Sequence, residues 1–236
     1  MSVHVFLDFD GTISRRDVGD EIVRRFGQFE PLHSDLLAGS ITVSQYYQRA
    51  VQSFAPETTP ESLTAFALEQ ELDAGIAPLL RWLRSVDIPA YIVSDGFDVY
   101  IRPLLTTCAS GLDVPVYCNK LQWDGSTFTP VFPGATESCS CFCASCKRNA
   151  VLTNIALDDV VVYVGDGLSD TCAVQYADIV FAKGTLASYC TSNGIPFHHY
   201  NTLSEVLIIL QARYQKNEFR TRRQAVLARK RAIESE

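Results

Sequence analysis

Short apolar runs in this chain stop abruptly in acidic, hydroxylated and glycine residues, and the change recurs along the chain. Val3-His4-Val5-Phe6-Leu7 ends in Asp8-Phe9-Asp10-Gly11-Thr12. Tyr91-Ile92-Val93 ends in Ser94-Asp95-Gly96, and Val160-Val161-Val162-Tyr163-Val164 ends in Gly165-Asp166-Gly167-Leu168-Ser169-Asp170. Such β-branched runs bounded by Gly and Asp predict buried strands. Ligands of open parallel sheets bind beyond the carboxyl ends of the strands, so these ends predict one polar site assembled from distant parts of the chain.

Helical spacing fills the intervals. Asp17 to Phe29, Ile41 to Phe54 and Pro60 to Leu72 carry apolar positions on one face, with Thr42 and Thr59 as caps and Pro60 at a first helical position. These segments predict a helical insertion over 14–73, placed to act as a lid on the sheet site. Further helices are expected over Gly75–Val86, Asp98–Cys108, Ala144–Ala156, Leu168–Tyr176, Leu186–Ser192 and, after Thr202, Leu203–Leu210. Ile179-Val180-Phe181 and Pro196 to Tyr200 supply two more strands. Val114–Cys118 and Thr127–Phe132 flank Asp124-Gly125-Ser126, a hairpin signal, and their prolines confine them to edge or irregular positions. The alternation gives an α/β fold with a central parallel sheet. Residues 1–13 and 74–212 form the core domain, with a small β-hairpin insertion near 113–134, 14–73 the cap, and 213–236 a basic C-terminal helix or tail.

With 236 residues, 47% of them hydrophobic, the chain supports one good core with a small accessory unit. The net charge of −7 gives no default expectation of nucleic-acid binding. That charge is uneven. Eight cations between Arg213 and Arg231 face only Glu218, and without these residues 12 Lys/Arg stand against 26 Asp/Glu, a body at −14. The basic run has two readings, a solvated helix face or a contact with an acidic surface such as a partner subunit. No secretory signal and no membrane-spanning run is evident, and eight cysteines then suggest thiols or metal ligands; a cytoplasmic protein is expected. Oligomeric state leaves no trace in the pattern.

The strand ends carry the chemistry. Asp8 and Asp10, two apart, point the same way if the strand persists, and Asp166 and Asp170 join them from a neighbouring strand. Converging carboxylates require a cation or a proton, and four of them with few histidines favour Mg²⁺ over Zn²⁺. Lys147, Ser94 and the amides near Gly11, Thr12 and Gly96 add anion-binding groups, which together suit a phosphoryl group. Cys139, Cys141, Cys143 and Cys146, just before Lys147, offer a Zn²⁺ site or a set of buried or redox-sensitive thiols. His198-His199 suggests an exposed pair.

Asp8-Phe9-Asp10-Gly11-Thr12, Ser94, Lys147 and Gly165-Asp166-Gly167-Leu168-Ser169-Asp170 resemble, in order, the four motifs of the haloacid dehalogenase superfamily of phosphohydrolases. The resemblance implies a Rossmann-like core with a C1-type helical cap like that of the phosphoserine phosphatase branch. Ser94-Asp95-Gly96-Phe97-Asp98 with Ile101 and Pro103-Leu104-Leu105 looks closest to methionine-salvage phosphatases acting on 2-hydroxy-3-keto-5-methylthiopentenyl-1-phosphate. It implies a Mg²⁺-dependent phosphomonoesterase for a small phosphorylated metabolite. Asp8 would be the nucleophile that forms an aspartyl phosphate, and Asp10 the acid and base. Asp8, the Asp10 carbonyl and Asp166 would hold Mg²⁺, with Asp170 acting through water. Thr12, Ser94 and Lys147 would meet the phosphoryl oxygens, and Asp95, Gly96 and Asp17 fall among the substrate-binding positions. Asp17 stands where phosphoserine phosphatases carry a glutamate. Phosphoserine, phosphocholine, phosphoethanolamine and pyridoxal phosphate remain alternative substrates, and a phosphotransferase or a non-catalytic binding protein remains an alternative on the same fold.

Overall fold

A computed structural model describes residues 2–135 and 143–234. The strand β1 (Val3–Leu7) is followed by four helices, α1 (Val18–Phe26), α2 (Leu32–Leu37), α3 (Val43–Gln52) and α4 (Pro60–Leu68). Helix α5 (Ile76–Ser85) then leads to β2 (Ala90–Phe97), α6 (Asp98–Cys108), β3 (Val116–Trp123) and β4 (Phe128–Val131). The second half runs α7 (Lys147–Leu152), β5 (Val160–Gly165), β6 (Ile179–Ala182), α8 (Gly184–Ser192), β7 (His198–His199), α9 (Leu203–Gln215) and α10 (Arg223–Glu234).

The strands form one sheet in the order β4-β3-β2-β1-β5-β6-β7, parallel throughout except for β4. The central strands are apolar on both faces because both are covered. Val5, Leu7, Val160, Val162 and Val164 face α5, α6 and α9, while Phe6, Val161 and Tyr163 face the α7 and α8 side. The strand order reverses between β1 and β5, from which the sheet grows outward on both sides, so the carboxyl ends of β1, β2 and β5 open on one crevice.

The helical insertion has no core of its own. Val18, Ile22, Val51, Leu63 and Ala67 belong to the same apolar cluster as Leu79, Ile92, Ile101 and Val164. Its two ends lie side by side: Ser14 bridges Leu72, and the Asp73 amide donates to the Ile13 carbonyl at 2.8 Å. Thr42 and Thr59 cap α3 and α4 as expected, each in a reciprocal capping box, with Gln45 and Ser62 respectively. Helix α2 was not anticipated, because none of its residues is buried and it presents no apolar stripe.

Four expectations need correction. The hairpin around Asp124 forms as expected, with Pro130 on edge strand β4 where a missing amide is tolerated, but its first strand is Val116–Trp123 and not Val114–Cys118, and the first half of that strand also pairs in parallel with β2. The helix expected over Leu168–Tyr176 is two 3₁₀ turns, Leu168–Asp170 and Ala173–Tyr176, since the Asp170 carboxylate folds back onto the amides of Asp166 and Gly167. His198 is half-buried, tilted against Phe181, and accepts from Arg213 at 3.0 Å, so the histidines are not an exposed pair.

The basic tail is the fourth. Helix α9 ends at Gln215 and a separate helix, α10, packs back on the core. Arg229 is wholly buried there, paired with Asp178 at 2.9 Å and donating to the Tyr176 carbonyl. Arg222 donates to the carbonyls of Val174, Gln175 and Ala177. Of the eight cations, Arg229 is thus an internal fastener and Arg222 a half-buried one.

Candidate active site

Asp8, the first residue beyond β1, is 3% exposed. Its Oδ1 accepts from the Phe9 amide at 2.7 Å and from Lys147 Nζ at 2.7 Å. Lys147 opens α7 and spends its three donors on Asp8, Ser169 (2.8 Å) and Asp170 (2.7 Å). Burial lowers the pKa of this ammonium, but Asp170 and Asp8 more than offset it and hold the lysine pKa above its ordinary value.

Asp170 is fully buried and saturated: Oδ1 accepts from Lys147 and the Tyr163 hydroxyl, Oδ2 from the amides of Asp166 and Gly167. Asp166 accepts from the Thr12 hydroxyl at 3.1 Å, and burial together with the Asp170 charge pushes its pKa up to about 6. Oxygens of Asp8, Asp166 and Asp170 lie within 4.8 Å of one another, three carboxylates around one ammonium. This all-oxygen, net-negative set fits a hard divalent cation. With Asp170 saturated, Asp8 and Asp166 are the carboxylates available to such an ion. Gly11 lets the loop pass: its φ is +73°, and a Cβ there would collide with the Asp166 carboxylate.

Asp10 turns away from Asp8. Its Oδ1 accepts from the Val18 amide at 3.0 Å, and its Oδ2 accepts from Tyr100 at 2.8 Å and Ser94 at 3.2 Å. Burial, then the nearby Asp17 charge, raises the Asp10 pKa to about 7. Gly96 is where the chain passes closest to this group, since a Cβ would overlap the Tyr100 hydroxyl. Gly96→Ala is therefore expected to push the phenol off Asp10. A loss of stability of roughly 1–3 kcal/mol, typical of overpacking and read as a lower melting temperature, with a fall in turnover, would show it.

These groups open on a cavity of about 470 Å³. Asp8, Asp10, Gly11, Asp17, Asp95, Gly96, Lys147 and Asp166 line it, whereas Thr12, Ser94 and Asp170 stand behind its wall. The Thr12 hydroxyl faces Asp166 and Tyr200, and the Ser94 hydroxyl lies between Asp10 and the Gly96 amide. Asp17 caps α1 by accepting the Asp20 amide at 2.8 Å. The opposite wall comes from the insertion, through Asp20, His33, Leu36, Val43, Tyr46 and Tyr47. Sequence reading missed Tyr100, Tyr163, Arg16 and Lys183. Only Tyr163 left a signal, as the one polar-tipped side chain in the β5 valine run. Cys139 and Cys141 lie outside the described residues, and the metal-capable cluster among the described residues is the aspartate set, so the zinc expectation gains no support.

Residues 5–175 match the family model for haloacid dehalogenase-like hydrolases, and the chain belongs to that family. It is 27% identical to 2-hydroxy-3-keto-5-methylthiopentenyl-1-phosphate phosphatase of Bacillus cereus, over 87% of this chain and 94% of that one. The corresponding protein of Geobacillus kaustophilus is 29% identical over 88% and 94%. Among solved structures, a substrate-bound phosphoserine phosphatase aligns with a TM-score of 0.66 at 22% identity, covering 88% of this chain and 97% of that one. A phospho-aspartyl intermediate analogue of phosphoserine phosphatase aligns at 0.65 and 21%, covering 88% and 98%. These likenesses place the Rossmann-like sheet and its helices in a known architecture.

Proposed function

We propose that the protein hydrolyses a small phosphorylated metabolite through an aspartyl phosphate on Asp8. The observation that carries this reading is the buried Asp8–Lys147 pair beside Asp166 at the floor of the cavity. Asp8 attacks phosphorus as the bond to the ester oxygen breaks, and the departing alkoxide takes a proton from Asp10. Asp10 then accepts a proton from the water that attacks the acyl phosphate, which regenerates Asp8 and releases phosphate. A pKa near 7 lets Asp10 serve in both directions at neutral pH. Lys147 orients Asp8 and opposes the rise in its pKa that burial and the Asp170 charge produce, and Asp170 and Ser169 keep Lys147 in place. Mg²⁺, held by the Asp8 and Asp166 carboxylates with the Asp10 carbonyl and supported by Asp170, would supply the charge that lets one anion attack another.

We take residues 14–73 as the lid that selects the organic group, because its helices supply the wall opposite Asp8. The curated relatives make their named substrate the first to test, with phosphoserine, phosphocholine, phosphoethanolamine and pyridoxal phosphate beside it. Described helices are too short or too polar to cross a membrane, and Cys108, Cys118 and Cys190 are thiols, which suits a reducing cytoplasm.

The test is hydrolysis of p-nitrophenyl phosphate and of that panel. Activity is expected to vanish in excess chelator and to return when Mg²⁺ is restored. Full activity in chelator, or no release of phosphate from any ester with Mg²⁺ present, would overturn the reading.

A further inference from the structure

Asp95 lines the cavity, and the motif resemblance sets it among substrate-binding positions, yet its contacts run elsewhere. Its Oδ1 accepts from the Ala144 amide at 2.7 Å and the Ser145 amide at 2.6 Å. Its main-chain carbonyl accepts from Asn119 Nδ2 at 2.6 Å, and Asn119 is wholly buried on β3. The Cys146 amide donates to the Gly134 carbonyl at 2.9 Å, and α7 begins at the next residue, Lys147. Two consecutive amides are therefore satisfied by one carboxylate oxygen projecting from β2.

The consequence falls on Lys147. Among the described residues, the 143–146 segment is tied to the sheet by Asp95, and Lys147 Nζ must reach Asp8, Ser169 and Asp170 at 2.7–2.8 Å at once. A carboxylate is also a poor ligand for a phosphate dianion, since like charges repel at short range. We propose that Asp95 is a positioning residue: it seats the segment before α7 so that the Lys147 ammonium meets the nucleophilic carboxylate. The assignment rests on the phosphatase reading for its kinetic consequence, while the anchor itself is independent of it.

An asparagine keeps a carbonyl oxygen in place to accept the two amides, and an alanine does not. With p-nitrophenyl phosphate and Mg²⁺, Asp95→Ala is expected to lower kcat by about 100-fold, the scale of a misplaced reacting group, with a smaller change in KM. Asp95→Asn is expected to recover most of that loss. Hydrogen exchange of peptides covering 143–152 is expected to accelerate in the alanine variant and to stay near wild type in the asparagine variant. Equal losses in both variants confined to KM, or unchanged exchange in Asp95→Ala, would overturn the proposal. If the wild-type protein hydrolyses no phosphate ester, the exchange comparison still decides the anchor, so the two readings fail separately.

Discussion

Asp8→Asn is expected to abolish turnover of phosphate esters, by roughly four orders of magnitude or more, the scale on which loss of a nucleophile is felt. The substitution is isosteric and removes only the charge and nucleophilicity of one carboxylate. The Asn amide oxygen can still accept from the Phe9 amide, and Lys147 retains Asp170 and Ser169. The variant also has one fewer negative charge among Asp8, Asp166 and Asp170, which sit within 4.8 Å of one another. Its melting temperature should therefore not fall, and a small rise would follow from relieved repulsion. Steady-state hydrolysis and a thermal melt, run together, separate lost chemistry from lost fold. Near-wild-type hydrolysis by this variant would eliminate the covalent route, whatever the fate of the rest of the site.

The second large effect is on stability and lies far from the chemistry. Arg229→Met is expected to cost about 3 kcal/mol, at the lower end for breaking a buried ion pair. Arg229 and Asp178 are both fully buried at the side chain, and the guanidinium also serves the carbonyls of Tyr176, Leu157 and Asp159. The methionine fills the space of the stem, but Asp178 is left with only the Val161 and Arg222 amides. For a chain of this size the loss corresponds to a melting temperature lower by roughly 6–12 °C. Lys230→Met, one residue on and exposed, should stay within about 0.5 kcal/mol of wild type. In an Asp178→Asn background the cost of Arg229→Met should shrink by more than about 1 kcal/mol, the mark of direct coupling. Equal costs in both backgrounds would mean that α10 is held by its apolar contacts alone.

The contrast between Arg229 and Lys230 shows where sequence reading stops. A run of cations has the same composition whether its members face water or a buried carboxylate, and helical spacing around Val226, Leu227 and Ile233 gives only a thin apolar stripe. Asp178 lies 51 residues away, and nothing local marks it as the partner. The same holds for Asp95. Its place beside Ser94 and Gly96 suggested a ligand, but its partners, Ala144 and Ser145, come from a segment about 50 residues on.

Strand ends are a different case. Where β1 and β5 must be buried on both faces, their residues have to be apolar, and the first carboxylate after each run marks the place where the chain leaves the interior. That constraint acts within a few consecutive residues, so the central strands, most helices and the acidic site at Asp8, Asp10 and Asp166 were legible from the chain alone. Which side-chain oxygens stay open, which are saturated, and which way Asp10 turns depend on hydrogen bonds between groups far apart in the chain. Tyr100, Tyr163, Lys147 and Asp95 acquire their partners only when the sheet brings its strands side by side. The chain by itself therefore determined the sheet and the acidic chemistry at its edge. Tertiary structure alone decided the orientation of that chemistry, because directional bonds between distant residues leave no periodic trace in the sequence.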